Sequence, residues 1–326
     1  MTELKRDIDS QMESAKDRME PRMEPMDLAP KLSPTERGVK VFFLLCAVSA
    51  LGSMFLIMIF LFMEAAGLFF VSVDGPGVSF SEFFLSLDWY PTYPDPSYGS
   101  LALAIGSLSV TFISIIIATP FGIGLAIYLS SVASVRVREW LKPAVELLAS
   151  IPSVILGFVG MVAVAPFMQN VLDLPTGLNV LNASIFLAIM ATPTIASLGD
   201  DALSAVSQSV ADGSYALGAT RWETISRVVV PSALSGLSTA VILGLGRALG
   251  ETIVVLMVAG GSAQVPHSLF DSVRPLTSTL AAEMGETAIG SLHYHALFAL
   301  GAVLFLITLA FNLLAFYLAR RWRNNS

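Results

Sequence analysis

Six long apolar runs, set apart by polar segments rich in proline, glycine or charge, divide the chain: Val41 to Phe62, Leu101 to Leu129, Val145 to Met168, Ala183 to Leu198, Ala233 to Ala259 and Ala296 to Ala319. A helix needs about 20 mainly apolar residues to cross a bilayer. The pattern therefore predicts an all-α polytopic membrane protein with six transmembrane helices, the fourth run being the shortest. The first run follows a mixed acidic and basic leader, not the early charged-then-apolar order of a cleaved signal peptide, and reads as a retained helix.

Basic residues fall unevenly between the runs. Lys31, Arg37 and Lys40 precede the first; Arg136, Arg138 and Lys142 follow the second; Arg221 and Arg227 follow the fourth; Arg320, Arg321 and Arg323 follow the last. The intervening segments, Val71 to Gly99, Gln169 to Asn182 and Gly260 to His295, hold only Arg274. Lys and Arg collect in cytoplasmic loops, which places both termini in the cytoplasm and agrees with an even number of crossings. The resulting organisation is a tail over residues 1–35, too polar to bury a core, a first helix over 36–70 and an extracytoplasmic loop over 71–99. A helical core follows over 100–319 with a cytoplasmic loop at 199–232, and then a cytoplasmic tail over 320–326. Phe80, Phe83, Phe84, Leu87, Trp89 and Tyr90 in the first outside loop suit a membrane interface or an extracytoplasmic partner. Its prolines and glycines argue against regular structure from Pro91 to Gly99.

Composition agrees, with 55% hydrophobic and 13% charged residues where soluble domains carry roughly half and a quarter. The lone Cys46 excludes an internal disulfide and a CxxC metal site. The net charge of -7 says little in a membrane protein, because orientation follows the placement of basic residues.

Two segments carry candidate chemistry. In "DGSYALGATRWETISRVVVP", Tyr215, Leu217, Trp222, Ile225 and Val229 give a helical apolar pattern among Arg221, Glu223 and Arg227. Gly218 permits a left-handed turn between two short helices, and Pro231 fits the start of the next helix. In "VILGLGRALGETIVVLMVAG", Arg247 and Glu251 stand within a run otherwise apolar. An arginine near the centre of a span costs about 2.5 to 3.5 kcal/mol, whereas a pair four residues apart returns only about 0.2 to 0.5 kcal/mol on a solvated helix. Gly236, Ala240, Gly244 and Ala248 form a smooth stripe for close helix packing. The row Leu243, Arg247, Glu251 lies beside that stripe, and packing of the stripe turns it toward the interior or a cleft between subunits. There the planar fork of Arg247 suits a tetrahedral oxyanion, Glu251 holds the fork when the anion is absent, and Thr194 and Thr252 are neighbouring hydroxyls. A buried pair that only fixes helix register is the alternative.

The chain resembles the inner-membrane permeases of ATP-binding-cassette importers. Their cytoplasmic motif reads E-A-A, three residues, Gly, nine residues, then I-x-L-P. It aligns with Asp212, Gly213, Ser214, Gly218, Val228, Val230 and Pro231, so that the glycine and the proline match and the opening triplet is DGS. "VELLASIPSVILGFVG", "TPTIASLGDDALSAV" and "LGLGRALGET" narrow the resemblance to the phosphate-specific permeases, of the PstC type, over about Gly99 to Pro266. The resemblance implies a type I importer permease fold in a bacterial or archaeal plasma membrane. It also implies a PstA-type second permease, a PstB-type dimeric ATPase holding ATP and magnesium, and a PstS-type extracytoplasmic phosphate-binding protein. ATPase coupling then falls to Asp212, Tyr215, Leu217, Gly218, Ala219, Arg221, Trp222 and Pro231.

No GxxxxGK[ST] loop occurs, since no lysine follows a glycine, so ATP chemistry is expected on another chain. "GLGRALG" lies inside an apolar run without a preceding strand, which argues against a dinucleotide loop. His293 and His295, two apart, diverge on a helix and read as interface residues. Neither a cofactor in this chain nor a nucleic-acid partner is expected; membrane lipid is. Permeases for molybdate or sulfate, an ion-coupled carrier using Glu251, and a membrane scaffold are the competing readings.

Overall fold

A computed structural model describes residues 34–70 and 77–323; the tail expected over 1–35 lies outside them as far as residue 33. The chain divides into two compact units, residues 1–57 and 58–326. The described part of the first is the opening of α1 (Pro34–Phe70), an uninterrupted helix that carries the first apolar run.

The second unit holds the last turns of α1 and every later element. Helix α2 (Phe80–Leu85) starts at Ser79, whose hydroxyl accepts from the Glu82 amide. Strands β1 (Trp89–Tyr90) and β2 (Ser97–Tyr98) pair antiparallel, Trp89 with Tyr98 and Tyr90 with Ser97. This small hairpin enters the segment expected to be irregular, and its cause is burial: Trp89 and Tyr98 both lie in the apolar core, and pairing satisfies the backbone beside them.

Helix α3 (Leu101–Ile127) ends in a π turn at Tyr128–Val132. Then come α4 (Val135–Ala149), α5 (Ser153–Val159), a π turn at Gly160–Val164, and α6 (Ala165–Leu172). Helix α7 (Val180–Ser204) is capped by the side chain of Asn179, which accepts from the Asn182 amide. Beyond it lie α8 (Gln208–Ala216), α9 (Arg221–Thr224), a π turn at Ile225–Val229, and α10 (Val230–Ser232). The chain closes with α11 (Leu234–Leu249), α12 (Ile253–Val258), α13 (Leu276–Glu283) and α14 (Leu292–Arg323).

Among the described residues five helices are long and apolar enough to cross a membrane. Arg221–Ser232 with Leu234–Leu249, bent by 69°, provide a sixth crossing if counted together. The third apolar run is not one span. Val145 to Ala149 finish the amphipathic α4, the helix stops at Ser150, and the crossing begins at Ser153 behind Pro152. Proline has no amide proton to continue a helix and keeps the residue before it out of the helical region.

The core is a close packing of α3, α7 and α11. The buried Ile195 of α7 fits against Gly122 of α3 and Gly244 of α11, where added Cβ atoms would come within 2.7 and 2.6 Å of its side chain. Such contact matters because lipid supplies no hydrophobic drive between helices, and association depends on how closely backbones approach. The Ser184 hydroxyl of α7 also lies 3.2 Å from the Val110 carbonyl of α3.

Candidate substrate path and coupling surface

The fifth apolar run breaks where its charges sit. Helix α11 ends at Leu249 and α12 begins at Ile253, so Gly250, Glu251 and Thr252 form a gap. A helix start leaves amide protons without partners and favours a carboxylate nearby. Glu251 answers both demands, its Oε1 accepting from the Ile253 amide at 3.1 Å and the Val254 amide at 3.3 Å. Arg247 lies in the last turn of α11, where a cation is favourable. Its Nη2 donates to the carbonyl of Ala149, the last residue of α4, at 3.3 Å.

The expected Arg247–Glu251 pair is therefore not made: among the described residues no ion pair joins them, and each charge serves a different helix end. The continuous helix that would have set them on one face stops between them. Gly250 and Glu251 offer a stop and a start that the surrounding apolar residues obscure in the sequence.

The small-residue stripe packs as expected. Ala240, Gly244 and Ala248 are buried, and a Cβ on Gly236 would lie 2.5 Å from that of Ala202 on α7. Leu243 and Arg247 stay exposed beside it. Thr252 is half-buried, its hydroxyl 3.4 Å from the Gly250 carbonyl. Thr194 is half-buried in α7, and among the described residues no hydrogen bond joins it to Arg247 or Glu251.

The segment with the motif residues forms two short helices around a tight turn. Gly218 has φ +86°, which only glycine adopts freely. The Gly218 amide donates to the Tyr215 carbonyl at 2.9 Å and the Ala219 amide to the Ser214 carbonyl at 3.2 Å, the paired bonds of a Schellman stop. Helix α9 then opens with a capping box between Thr220 and Glu223. The Thr220 backbone amide and hydroxyl both donate to the Glu223 carboxylate, at 3.0 and 2.8 Å. Pro231 falls in the first turn of α10. Leu217 and Trp222 stand 91% and 68% exposed, Tyr215 and Asp212 are exposed, and Ala219 is half-buried. Arg221 turns back to the Ser131 carbonyl in the π turn after α3, so it fastens this segment to the bundle.

One cluster escaped the sequence reading. Asp200, fully buried in α7, accepts from Arg138 Nη2 at 3.0 and 3.1 Å and from Lys142 Nζ at 2.9 Å, and Lys142 also reaches Asp201. The Asp200 carboxylate raises the Lys142 ammonium above its usual value against a smaller opposing effect of burial. These bonds clamp α4 to α7. The adjacent acids of "GDDAL" at the end of an apolar run were a signal of such a tie, but their partners lie 58 and 62 residues away.

Residues 118–324 match the family described as binding-protein-dependent transport system inner membrane component. A probable ABC transporter permease protein, YqgH, from Bacillus subtilis is 41% identical over 85% of this chain and 88% of its own length. The phosphate transport system permease protein PstC of Mesorhizobium japonicum is 36% identical over 73% of this chain and 78% of its own, and that of Pasteurella multocida 36% over 77% and 84%. Among solved structures, a bacterial ABC transporter importing the acidic polysaccharide alginate aligns with TM-score 0.58 and 17% identity over 87% of this chain and 98% of its own. The MetNI methionine transporter aligns at 0.52 and 20% over 67% and 93%. With several apolar crossings, a helical core like theirs and a family match across most of its length, the chain belongs to the inner-membrane permease components of binding-protein-dependent ATP-binding-cassette importers.

Proposed function

We propose that this permease carries inorganic phosphate into the cytoplasm, with Arg247 as the anion-contacting group. The observation that carries the reading is an exposed guanidinium in the last turn of α11, where the fifth apolar run breaks, held by a neutral carbonyl at 3.3 Å and not by a carboxylate. Among the described residues it makes no ion pair, and its present bond is long. A tetrahedral oxyanion offers that fork two charge-assisted bonds, stronger than one to a carbonyl. Glu251 orders the amides of α12 beside the path and keeps a negative charge close by, which favours release, as conduction requires. Thr252 and Thr194 remain candidate neighbours of the anion.

The basic end of the bundle, with Arg138, Lys142 and Arg221, faces the cytoplasm together with both termini. A PstA-type permease completes the path, a PstB-type ATPase dimer binds ATP and magnesium, and a PstS-type protein delivers phosphate from outside. Leu217 and Trp222 are the apolar anchors of the ATPase contact, around Asp212, Tyr215, Gly218, Ala219 and Pro231, with Arg221 fixing the segment from behind. ATP binding drives this segment and opens the path outward; hydrolysis returns it.

The test is phosphate uptake into vesicles holding the assembled transporter. Arg247→Gln lowers uptake by at least about a hundredfold, the loss of two charge-assisted bonds, with assembly intact because the packed stripe is untouched. Glu251→Gln keeps an acceptor for the α12 amides and reduces turnover less. Wild-type uptake by Arg247→Gln refutes the anion contact, and uptake of sulfate or molybdate in place of phosphate refutes the substrate.

A further inference from the structure

A short helix connects the hairpin loop to the break between α11 and α12. At one end of α13, the Thr277 hydroxyl donates to the backbone carbonyl of Glu251 at 2.8 Å, and the Leu276 amide is anchored on Ser107 of α3 at 2.7 Å. At the other end, Glu283 gathers three side chains. Trp89 of the hairpin donates Nε1 at 3.1 Å, Arg274 lies at 2.8 Å, and His293 of α14 at 2.8 Å. Trp89 is fully buried and Glu283 is 15% exposed, so these bonds are shielded from water and hold firmly. Arg274, the one basic residue of its segment, is thereby spent on this knot.

We infer that α13 is a rigid strut that passes movement of the Trp89 hairpin to the Glu251 break, with Glu283 and Thr277 as its positioning residues. Thr277 and Glu283 are six residues apart, about 9 Å along a helix axis, and a hydrogen-bonded helix of that length does not shorten. Displacing Trp89 drags Glu283, turns α13 about its Ser107 anchor and shifts the Glu251 carbonyl. Glu251 is the residue whose carboxylate caps Ile253 and Val254, so the start of α12 moves with it. The inference rests on the permease reading above: a protein docking on the outer loops would be felt at the path through this helix, with no need to enter it.

The experiment is hydrogen exchange by mass spectrometry on the assembled transporter, followed at the Ile253 and Val254 amides. Glu283→Gln keeps the shape and weakens the knot; Thr277→Val keeps the shape and removes the bond to Glu251. Each raises exchange at these amides about tenfold, as loss of one well-made hydrogen bond does, while peptides from 183–196 of α7 stay as in the wild type. Because the two residues act in series, the double variant is no worse than either single. Unchanged exchange in Glu283→Gln, a multiplied effect in the double, or an equal rise across α7 overturns the strut. In parallel, stimulation of ATP hydrolysis by the phosphate-loaded binding protein falls in both variants. A wild type that phosphate-loaded protein fails to stimulate refutes the phosphate reading, whereas the exchange result, which needs no substrate, still decides the strut.

Discussion

Replacing Asp200 tests how α4 is held. The carboxylate is fully buried, with Arg138 and Lys142 bonded to it at 2.9 to 3.1 Å, and those cations remain 38% and 31% exposed. Asp200→Asn keeps one acceptor oxygen for the cationic donors but removes the carboxylate charge and the second acceptor, so about one charge-assisted bond, worth about 1.5 to 3 kcal/mol, is lost. The freed cations regain water, so the net loss is about 2 kcal/mol, a roughly 30-fold rise in local opening of α4. Removing both cations is worse. Arg138→Gln with Lys142→Met strands a carboxylate that has no water of its own, at about 3 to 5 kcal/mol, or between two and four orders of magnitude in opening. Adding Asp200→Asn to that double variant restores much of the protection, because the stranded charge is gone. Hydrogen exchange of the α4 amides in the assembled transporter reads all four proteins. If the triple variant opens as readily as the double, the argument from buried charge is wrong and α4 is held by its apolar face. The outcome bears on the path, since the last carbonyl of α4 is the one Arg247 uses.

Two further outcomes follow from the same geometry. A Cβ at Gly218 meets no neighbour within 4 Å, so the main effect of Gly218→Val is backbone strain at φ +86° of about 1 to 3 kcal/mol; binding-protein-stimulated ATP hydrolysis falls, and Gly218→Asn, better tolerated in that region, falls less. Lys142 has a raised pKa in the folded protein, so its contribution is full below the unfolded value of 10.5 and is lost as pH rises through the folded one; the unfolding midpoint of the transporter drops across that alkaline window, and Lys142→Met flattens this drop.

Most of the crossings were legible because a bilayer imposes one length and one chemistry on every span; the third and fifth runs were not, since apolar composition is the same on either side of the breaks at Pro152 and Gly250. The stripe from Gly236 to Ala248 was equally readable, since close approach demands small residues at every fourth place whatever the partner. The Gly218 turn was too, since a left-handed residue between two helical patterns has few alternatives to glycine. Glu251 misled for a physical reason: spacing of four describes neighbours only while the helix continues, and Gly250 ends it. Asp200 was illegible as a knot because Arg138 and Lys142 arrive from another helix, and Glu283 because Trp89 arrives from 194 residues away; a carboxylate in sequence looks the same whether it meets water or a cation.

The two helices around Gly218 are ordered by their own bonds: a Schellman stop, a capping box and the Arg221 tether to Ser131. Whatever protein covers Leu217 and Trp222 therefore meets a surface already in its final shape and loses little conformational freedom of the segment on docking. Docking there needs no folding step, and a partner's departure leaves the shape intact. The same order keeps two large apolar side chains displayed on any subunit made without its partner, a standing invitation to aggregation. Cells making this chain gain from synthesising the covering protein alongside it.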